Sequence, residues 1–413
     1  MTYEFEYLMQ LMGAAATGKT APPPAQKADL EKVLALADQQ QILPLISHAL
    51  KKDLSKDCPD VLNTVLTGYA QRSAVISLLG EMERAGIQSY VIKGFAAGVN
   101  YAAPEYRISS DADIVIDPAD EDRACEFLKH RGFSVKPRWE KGHHAVATHP
   151  AAGTIEVHVR LYDDLVEEVW FSHIDTAALL QEPRQQIVTP DGAYWTLGYT
   201  DHLIFMALHM VKHFILCGMS LRMMMDVALA IAKHREQVDM ERFWSTLHSV
   251  QYDKLMNAIL WAMVRYCGFA AEDFSGLGQR DDGQIALILD DLEKGGWLGK
   301  NAMAARKAGW HEYNRRILMK NKSKMQYRFY MLNWKHSFKL STVFPGRKRL
   351  SYHYPCVIKY PFLIPFVWIH RIVFRGFALL RGKTWTESIV HDENEISSES
   401  KARVAMFQAL DML

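Results

Sequence analysis

The spacing of apolar residues along the chain predicts two helical regions. Apolar residues recur three and four positions apart in residues 28–50 and 58–85, after a short predicted helix over residues 4–12. The same spacing returns in residues 200–299, which predicts a second set of helices. The sequence between these two regions follows a different pattern.

Strand signals dominate that middle part of the chain. The helix between the strands has Asp117 as its predicted N-cap and ends at Gly132. A Pro-Ala-Ala-Gly turn at residues 150–153 joins the last two strands into a predicted hairpin. The predicted strands are residues 89–92, 111–116, 143–149 and 154–161, the second with a clear period of two.

We therefore predict an α+β fold, in which a small mixed-sheet core is embedded in largely helical N- and C-terminal regions. A chain of 413 residues that is 49% hydrophobic can bury such a core and is long enough for several domains. The predicted parts are a helical N-terminal region at 1–85, the mixed-sheet core at 86–170, a helical domain at 171–312, and a basic, aromatic-rich segment with the C-terminal tail at 313–413.

The composition favours a cytoplasmic protein. The five cysteines are odd in number and far apart, so the sequence indicates neither a disulfide framework nor a zinc knuckle. The first residues include Glu4 and Glu6 and lack the pattern of a signal peptide. The apolar run at 361–369 has nine residues, about half of what a membrane-spanning helix requires.

Basic residues are concentrated in one segment. Residues 313–386 contain sixteen Lys or Arg and no Asp or Glu, interleaved with sixteen aromatic residues, whereas the remainder has a net charge of −15. We favour packing of this segment against the acidic remainder. A peripheral site at the inner face of the membrane, with residues 361–380 as an interfacial helix on anionic lipid, is the second interpretation. Nucleic-acid binding is the third and least favoured.

Residues 13–20 match the P-loop expression G-x-x-x-x-G-K-[ST] at every fixed position. A P-loop requires a buried strand before it and a helix after it, whose amide groups hold phosphate. Here a predicted helix precedes the match, and three prolines at 22–24 follow it, which exclude a helix interior. We therefore reject the P-loop.

Asp111 and Asp113 are the strongest candidates for chemistry. Residues two apart on a strand share a face, so both carboxylates point to one side, while Ala112, Ile114 and Ile116 point to the other. Two such carboxylates repel each other unless a cation lies between them, and their hard oxygen atoms suit Mg²⁺. A solvated edge strand explains an isolated D-x-D equally well.

Neighbouring residues favour the catalytic interpretation. Lys93-Gly94 ends an apolar strand, and a glycine there lets the backbone approach a phosphate closely. Arg107 precedes Asp111 by four residues and can hold a triphosphate. Glu156 shares a strand face with His158 and can supply a third carboxylate.

In their order and spacing these residues resemble the polymerase-β-like nucleotidyltransferase superfamily, and within it bacterial nucleotidyltransferases of uncharacterised substrate. The resemblance covers most of residues 1–310. The sequence departs from the superfamily at Phe95, where a serine is common, and in the long interval between Gly94 and Asp111. The resemblance rests on Val91-Ile92-Lys93-Gly94, Tyr101, Pro104, Arg107, Asp111-Ala112-Asp113-Ile114, Gly132-Phe133 and Ile155-Glu156-Val157-His158.

The resemblance implies transfer of a nucleoside monophosphate from a nucleoside triphosphate, such as ATP, to a hydroxyl of a small molecule, glycan or peptide. It implies two Mg²⁺ ions, replaceable by Mn²⁺, held by Asp111 and Asp113, the first also by Glu156. Lys93, Gly94 and Arg107 are the predicted nucleotide-binding residues. The alternative is an inactive nucleotide-binding or membrane-associated scaffold.

Three histidines at positions 202, 209 and 213 share one face of a predicted helix. We favour a buried polar seam over a zinc site, because the sequence offers no further ligand to complete a tetrahedral set. His209 and His213, together with His158, are candidate substrate contacts. Arg222 and Asp226, four residues apart, form a predicted helical ion pair in the same bundle.

Overall fold

The structure is a computed structural model that describes residues 1–23, 28–138, 142–163, 166–167, 170–295, 306, 308–309, 360–369 and 401–412. The chain divides into two compact units, Met1–Trp310 with Arg403–Leu413, and His311–Ala402. The first unit contains the sheet and most of the described helices.

Five helices lead into the sheet: α1 (Tyr3–Thr17), α2 (Leu30–Gln39), α3 (Leu43–Ala49), α4 (Leu54–Asp57) and α5 (Pro59–Arg84). The side chain of Thr2 caps α1 by accepting from the backbone N–H of Phe5, and Gly18 ends the helix in the left-handed conformation. The helix predicted at 4–12 is thus longer than expected. Its small residues 13–16 are buried by close packing, which the sequence pattern alone did not indicate.

Seven strands form one mixed sheet in the order β3-β4-β5-β2-β1-β7-β6. Strand β2 lies antiparallel to β1 and parallel to β5, and β1 and β7 are parallel. The connecting helices are α6 (Lys93–Ala97) and α7 (Glu121–His130). The strands are β1 (Ser89–Ile92), β2 (Asp111–Ile116), β3 (Ser134–Lys136), β4 (His144–His149), β5 (Gly153–His158), β6 (Gln185–Thr189) and β7 (Gly192–Thr196).

The mixed sheet confirms the predicted fold class, but it extends further along the chain than expected. The hairpin β6–β7 lies within residues 171–312, which the sequence prediction treated as helical. Its strand β7 pairs with β1, so the hairpin enlarges the same sheet instead of starting a separate domain. Pro190-Asp191 forms the turn, and the strands on each side are too short and too exposed to give a strong apolar pattern.

Strand β2 separates two hydrophobic clusters. Ala112, Ile114 and Ile116 pack with residues of α5 and α7, whereas Val115 belongs to a larger cluster of helical residues. Because side chains alternate along a strand, Asp111 and Asp113 share the face of Val115, and they point toward the helices that follow the sheet. The predicted division of this strand into two faces is confirmed.

Helices α1, α2 and α3 contribute to the larger cluster. Five later helices in the described part of the chain also pack into it: α8 (Tyr199–Leu216), α9 (Leu221–Lys233), α10 (Met240–Ser249), α11 (Asp253–Tyr266) and α12 (Asp282–Glu293). A further helix at 401–409 adds Phe407 to this core. Arg403 on that helix forms a buried ion pair with Asp291 and donates to the backbone oxygen of Phe214.

The basic segment at 313–386 lies outside the described residues except for 360–369. A 3-10 turn at Pro361–Leu363 and helical residues 364–369 expose Phe362, Phe366 and Ile369. The three interpretations of the segment remain predictions. Within the part of the chain that is described, no helix is long and apolar enough to cross a membrane.

Candidate functional site

Two carboxylates face each other on neighbouring strands. Asp113 on β2 and Glu156 on β5 are register partners, so their side chains leave the sheet side by side. Asp111 lies two residues earlier on the same face, and all three acids line one cleft with a volume of about 280 Å³. The structure therefore brings together the carboxylates predicted from the sequence.

Lys93 lies between these acids. Its Nζ atom is 2.6 Å from Oδ1 of Asp113 and 3.7 Å from Oε2 of Glu156. The residue follows β1 directly and has a φ of 59°, in the left-handed region that side chains other than glycine rarely adopt. Such strain persists only where surrounding contacts hold the residue, and it is concentrated at functional sites.

The pKa values of the two aspartates in the cleft are shifted in opposite directions. Burial opposes ionisation of Asp113, but the Lys93 ammonium and the hydrogen bond from His158 outweigh it and hold its pKa well below the ordinary value. Burial raises the pKa of Asp111, and the neighbouring charge of Asp113 raises it further. Lys93 also attracts Asp111, but burial and the charge of Asp113 outweigh that attraction. An added cation stabilises the ionised form of a carboxyl in this state.

Three histidines lie beside the carboxylates. His158 Nε2 is 2.9 Å from Oδ1 of Asp113 and 3.3 Å from Oε2 of Glu156. His143 and His144 complete a group with His158, and the ring centroid of His158 is 5.2 Å from that of His143 and 5.0 Å from that of His144. His144 is the first residue of β4 and His143 directly precedes it, and the sequence prediction did not single them out.

The donor atoms fit a divalent cation. Among the described residues, two sets place one ligand atom per residue within 4.8 Å of one another: Asp113 with Glu156 and His158, and His143 with His144 and His158. Carboxylate oxygen suits Mg²⁺, and added imidazole nitrogen also suits Mn²⁺ or Zn²⁺. Asp111 belongs to neither set, although it lines the same cleft.

Helix α8 forms the opposite wall of the cleft. His209 and His213 point into it, with their Nε2 atoms 2.9 Å apart, and Lys212 lies beside them. Burial holds the pKa of His209 well below its ordinary value and lowers that of His213 to about 3, so both rings are neutral. His202 does not line the cleft. The favoured buried seam therefore accounts for His202, whereas the other two histidines face the acids.

Arg107 lines the cleft, but its guanidinium is engaged by the protein. Nη2 donates to Oδ2 of Asp226 at 2.6 Å, and Nη1 donates to the backbone oxygen of Ile108 and to Oγ of Ser109. Gly94 makes room for this group, because a Cβ atom there would lie 2.8 Å from Cζ of Arg107. The glycine approaches the protein's own arginine closely.

The predicted ion pair between Arg222 and Asp226 is wrong. Asp226 pairs with Arg107, and Arg222 donates instead to the backbone oxygen of Ile108 at 2.9 Å. The i,i+4 spacing places the two residues on one side of α9, but a buried arginine from a distant part of the chain is the better partner for the carboxylate. Sequence spacing alone does not reveal such a pair.

Rejection of the P-loop is confirmed. Residues 13–17 belong to helix α1, which follows no strand. Lys19 Nζ donates to the backbone oxygen of Gly268, and Gly13 packs against the backbone of Cys267. The glycine and the lysine serve helix packing.

Comparison with known proteins finds one family and distant solved structures, two of which follow. The family described as uncharacterised nucleotidyltransferase matches residues 26–268. No curated protein matches the sequence significantly. The solution structure of the antibiotic-resistance factor ANT(2'')-Ia is 12% identical, with a TM-score of 0.34 over 46% of this chain and 96% of that one. An antigenic nucleotidyltransferase-like protein from Paracoccidioides brasiliensis is 14% identical, with a TM-score of 0.31 over 46% and 92% of the two chains.

The family match spans more than half of the chain and includes every residue that lines the cleft. The chain therefore belongs to the family of uncharacterised nucleotidyltransferases, and it is a nucleotidyltransferase.

Proposed function

We propose that this cleft catalyses Mg²⁺-dependent transfer of a nucleoside monophosphate from a nucleoside triphosphate to a hydroxyl of a small molecule, glycan or peptide. The observation that carries the proposal is the in-register pair of Asp113 and Glu156, which already binds the Lys93 ammonium, with Asp111 on the same face. A pair of acids that binds one cation at this distance is suited to another.

The three acids share metal binding, and Glu156 has a second role in proton transfer. Asp111, Asp113 and Glu156 would hold the divalent ions, for which Mn²⁺ can substitute. When bound, these ions lower the pKa of the acceptor hydroxyl and neutralise charge on the phosphates. Glu156, which is partly exposed to the cleft, accepts the proton of the attacking hydroxyl and passes it to water.

The reaction balances without a further reactant. The acceptor oxygen forms a bond to the α-phosphorus, the bond from that phosphorus to the bridging oxygen of the β-phosphate breaks, and pyrophosphate leaves. Lys93 and Gly94 lie at the end of β1 beside the acids, where they contact the nucleotide. Arg107 lines the same cleft, but its guanidinium is paired with Asp226. His158, His209 and His213 are placed to contact either substrate.

Isotope placement tests the reaction. The full chain is incubated with Mg²⁺, a cell extract as the source of acceptor, and each nucleoside triphosphate labelled at either the α- or the γ-phosphate. We expect the α-label on the acceptor and the γ-label in pyrophosphate. Chelation of divalent ions should abolish transfer, and Mg²⁺ or Mn²⁺ should restore it. Transfer of the γ-label to the acceptor would indicate a different reaction.

A substitution directly after the same strand provides a matched control. Asp111→Asn should reduce transfer by at least about a hundredfold, because charge stabilisation at the reacting phosphate is lost. Asp117→Asn places the same change at the exposed far end of β2, and asparagine also caps helices, so activity and thermal unfolding should stay unchanged. Equal activity in the two variants, or nucleotide binding without transfer by the wild type, would contradict the proposal.

A further inference from the structure

Four cationic side chains line the cleft, and three of them have partners within the protein. Lys93 lies against Asp113, Arg107 against Asp226, and Arg222 donates to a backbone oxygen. The fourth is Lys212 on helix α8. Among the described residues no hydrogen bond or ion pair involves its ammonium, and the centroid of the Tyr162 ring lies 5.9 Å from Nζ.

A half-buried ammonium without a counter-charge is unfavourable in the free protein. Burial lowers the pKa of Lys212 to about 8, and the positive charge of Lys93 adds to the effect. The charges of Asp163, Asp113 and Glu156 raise the pKa of Lys212, but they offset the effect of burial only in part. Groups in this state gain most from an anion that enters the cleft, because the ligand supplies the missing charge and accepts the unused hydrogen bonds.

The residues around Lys212 are suited to a bound phosphate. His209 and His213 flank it on the same helix and, being neutral, do not repel the lysine strongly. Their Nε2 atoms bond each other and Nδ1 of His213 lies 3.3 Å from Sγ of Cys217, so Nδ1 of His209 is the ring nitrogen that has no partner among the described residues. The wall that carries Lys212 belongs to α8, whereas the three acids belong to the sheet. An elongated anion can therefore contact the acids' bound cation at one end and the lysine at the other.

We propose that Lys212 binds the polyphosphate chain of the nucleoside triphosphate and holds the leaving pyrophosphate opposite Asp111, Asp113 and Glu156. This inference rests on the proposed function, since it gives the phosphate contact that Arg107 is prevented from making by its pair with Asp226. Lys212 is then the main phosphate-binding cation of the helical wall.

Binding of inorganic tripolyphosphate tests this role without any turnover. Calorimetry on the full chain in Mg²⁺ would compare wild type with Lys212→Met and Lys212→Arg. Loss of a charge-assisted hydrogen bond should weaken tripolyphosphate binding in Lys212→Met by about ten- to a hundredfold, and arginine should restore most of it. Adenosine, which lacks phosphate, should bind all three proteins equally. Unchanged tripolyphosphate affinity in Lys212→Met would overturn the inference.

Lys233 provides the matched control. It is an exposed lysine on the neighbouring helix α9 and does not line the cleft, so Lys233→Met should keep wild-type affinity. Without ligand, Lys212→Met should unfold at the wild-type temperature or above it, because the substitution removes an unpaired charge. A lower unfolding temperature would mean that the ammonium already has a counter-charge, and would also overturn the inference.

The two proposals fail separately. If Asp111→Asn leaves transfer intact while Lys212→Met weakens tripolyphosphate binding, the phosphate contact stands and the assignment of the carboxylates is wrong. If transfer depends on Asp111 but the Michaelis constant for the triphosphate and tripolyphosphate binding are unaffected in Lys212→Met, the carboxylates stand and Lys212 has no such role.

Discussion

Arg107 and Asp226 form a buried ion pair that joins the segment before β2 to helix α9. Nη2 of Arg107 lies 2.6 Å from Oδ2 of Asp226, and Nε lies 3.2 Å from Oδ1. The hydroxyl of Tyr101 donates to the same Oδ1 at 2.8 Å. Both residues line the cleft, so the pair holds α9 against the segment that leads into β2 at this site.

Removing one partner of this pair should destabilise the fold. Asp226→Asn leaves the buried guanidinium of Arg107 without a counter-charge, and we expect the free energy of unfolding to fall by about 3–5 kcal/mol. The double variant Arg107→Met with Asp226→Leu removes both charges and should recover much of that loss. Urea unfolding measures both effects. If the double variant loses as much unfolding free energy as the single variants Arg107→Met and Asp226→Leu lose together, the two residues are not coupled.

An exposed ion pair provides the contrast. Lys254 Nζ lies 2.8 Å from Oδ2 of Asp411, but the two side chains are 52% and 60% exposed. Solvent screens such a pair, so Lys254→Met should leave the free energy of unfolding nearly unchanged. The difference between the two pairs isolates the contribution of burial.

Gly94 should not tolerate a methyl group. A Cβ atom at this position would lie 2.8 Å from Cζ of Arg107, and the guanidinium cannot move aside without breaking its pair with Asp226. We expect Gly94→Ala to cost about 1–3 kcal/mol in unfolding free energy, and to lower nucleotidyl transfer. Adding Arg107→Met to Gly94→Ala should remove the collision, so the two costs should not add.

Gly80 in helix α5 is the matched control for that substitution. A Cβ atom there meets nothing within 4 Å, and alanine is the better helix former, so Gly80→Ala should stabilise the protein by up to about 1 kcal/mol. Thermal unfolding of the two variants gives opposite signs if the close contact at Gly94 is the cause. A fall of similar size in both would point to a general sensitivity of the fold instead.

Two substitutions within residues 13–20 test the rejection of the P-loop. Lys19→Met should leave nucleotide binding and transfer unchanged, because this lysine contacts the backbone oxygen of Gly268 outside the cleft. Gly13→Ala should reduce stability, since its Cβ would lie 2.7 Å from Cα of Cys267. Equilibrium binding of labelled triphosphate checks the first outcome and denaturant unfolding the second. Loss of nucleotide binding in Lys19→Met would reinstate the P-loop.

The parts of the site predicted from the sequence are those that local patterns encode. Alternation in β2 assigns Asp111 and Asp113 to one face, and the same rule assigns Glu156 to one face of β5. Their convergence requires only that the two strands are neighbours, which the resemblance to a known superfamily supplied. Local strand patterns predicted β1, β2, β4 and β5, whereas β3, β6 and β7 were not predicted.

The parts that were missed depend on tertiary contacts. Lys212 lies in an apolar helix where a single lysine gives no periodic signal, and only the position of α8 over the sheet brings it to the acids. The partner of Arg107 is 119 residues away, so helical spacing pointed to the wrong pair. His143 and His144 belong to the site only because β4 pairs with β5, which places them beside His158.

His202 makes the stability of the protein depend on pH. Its side chain is buried, and burial lowers its pKa to about 4; His234 adds to the effect and Asp226 opposes it. The unfolded chain therefore takes up a proton below pH ~6.5, whereas the folded protein takes it up only near pH 4. The contribution of neutral His202 to the free energy of unfolding is fully present above pH ~6.5 and is lost as the pH falls toward 4. Over that window it amounts to about 3 kcal/mol.

Replacing His202 with a residue that does not titrate should flatten this dependence. We expect the unfolding free energy of His202→Gln to fall less than that of the wild type between pH 7 and pH 4.5, and the difference between the two curves removes the effect of other acids. His173→Gln, a change at an exposed histidine, should follow the wild-type curve. If His202→Gln also parallels the wild type, the ring is not neutral in the folded state, because only a proton taken up on unfolding can produce the slope.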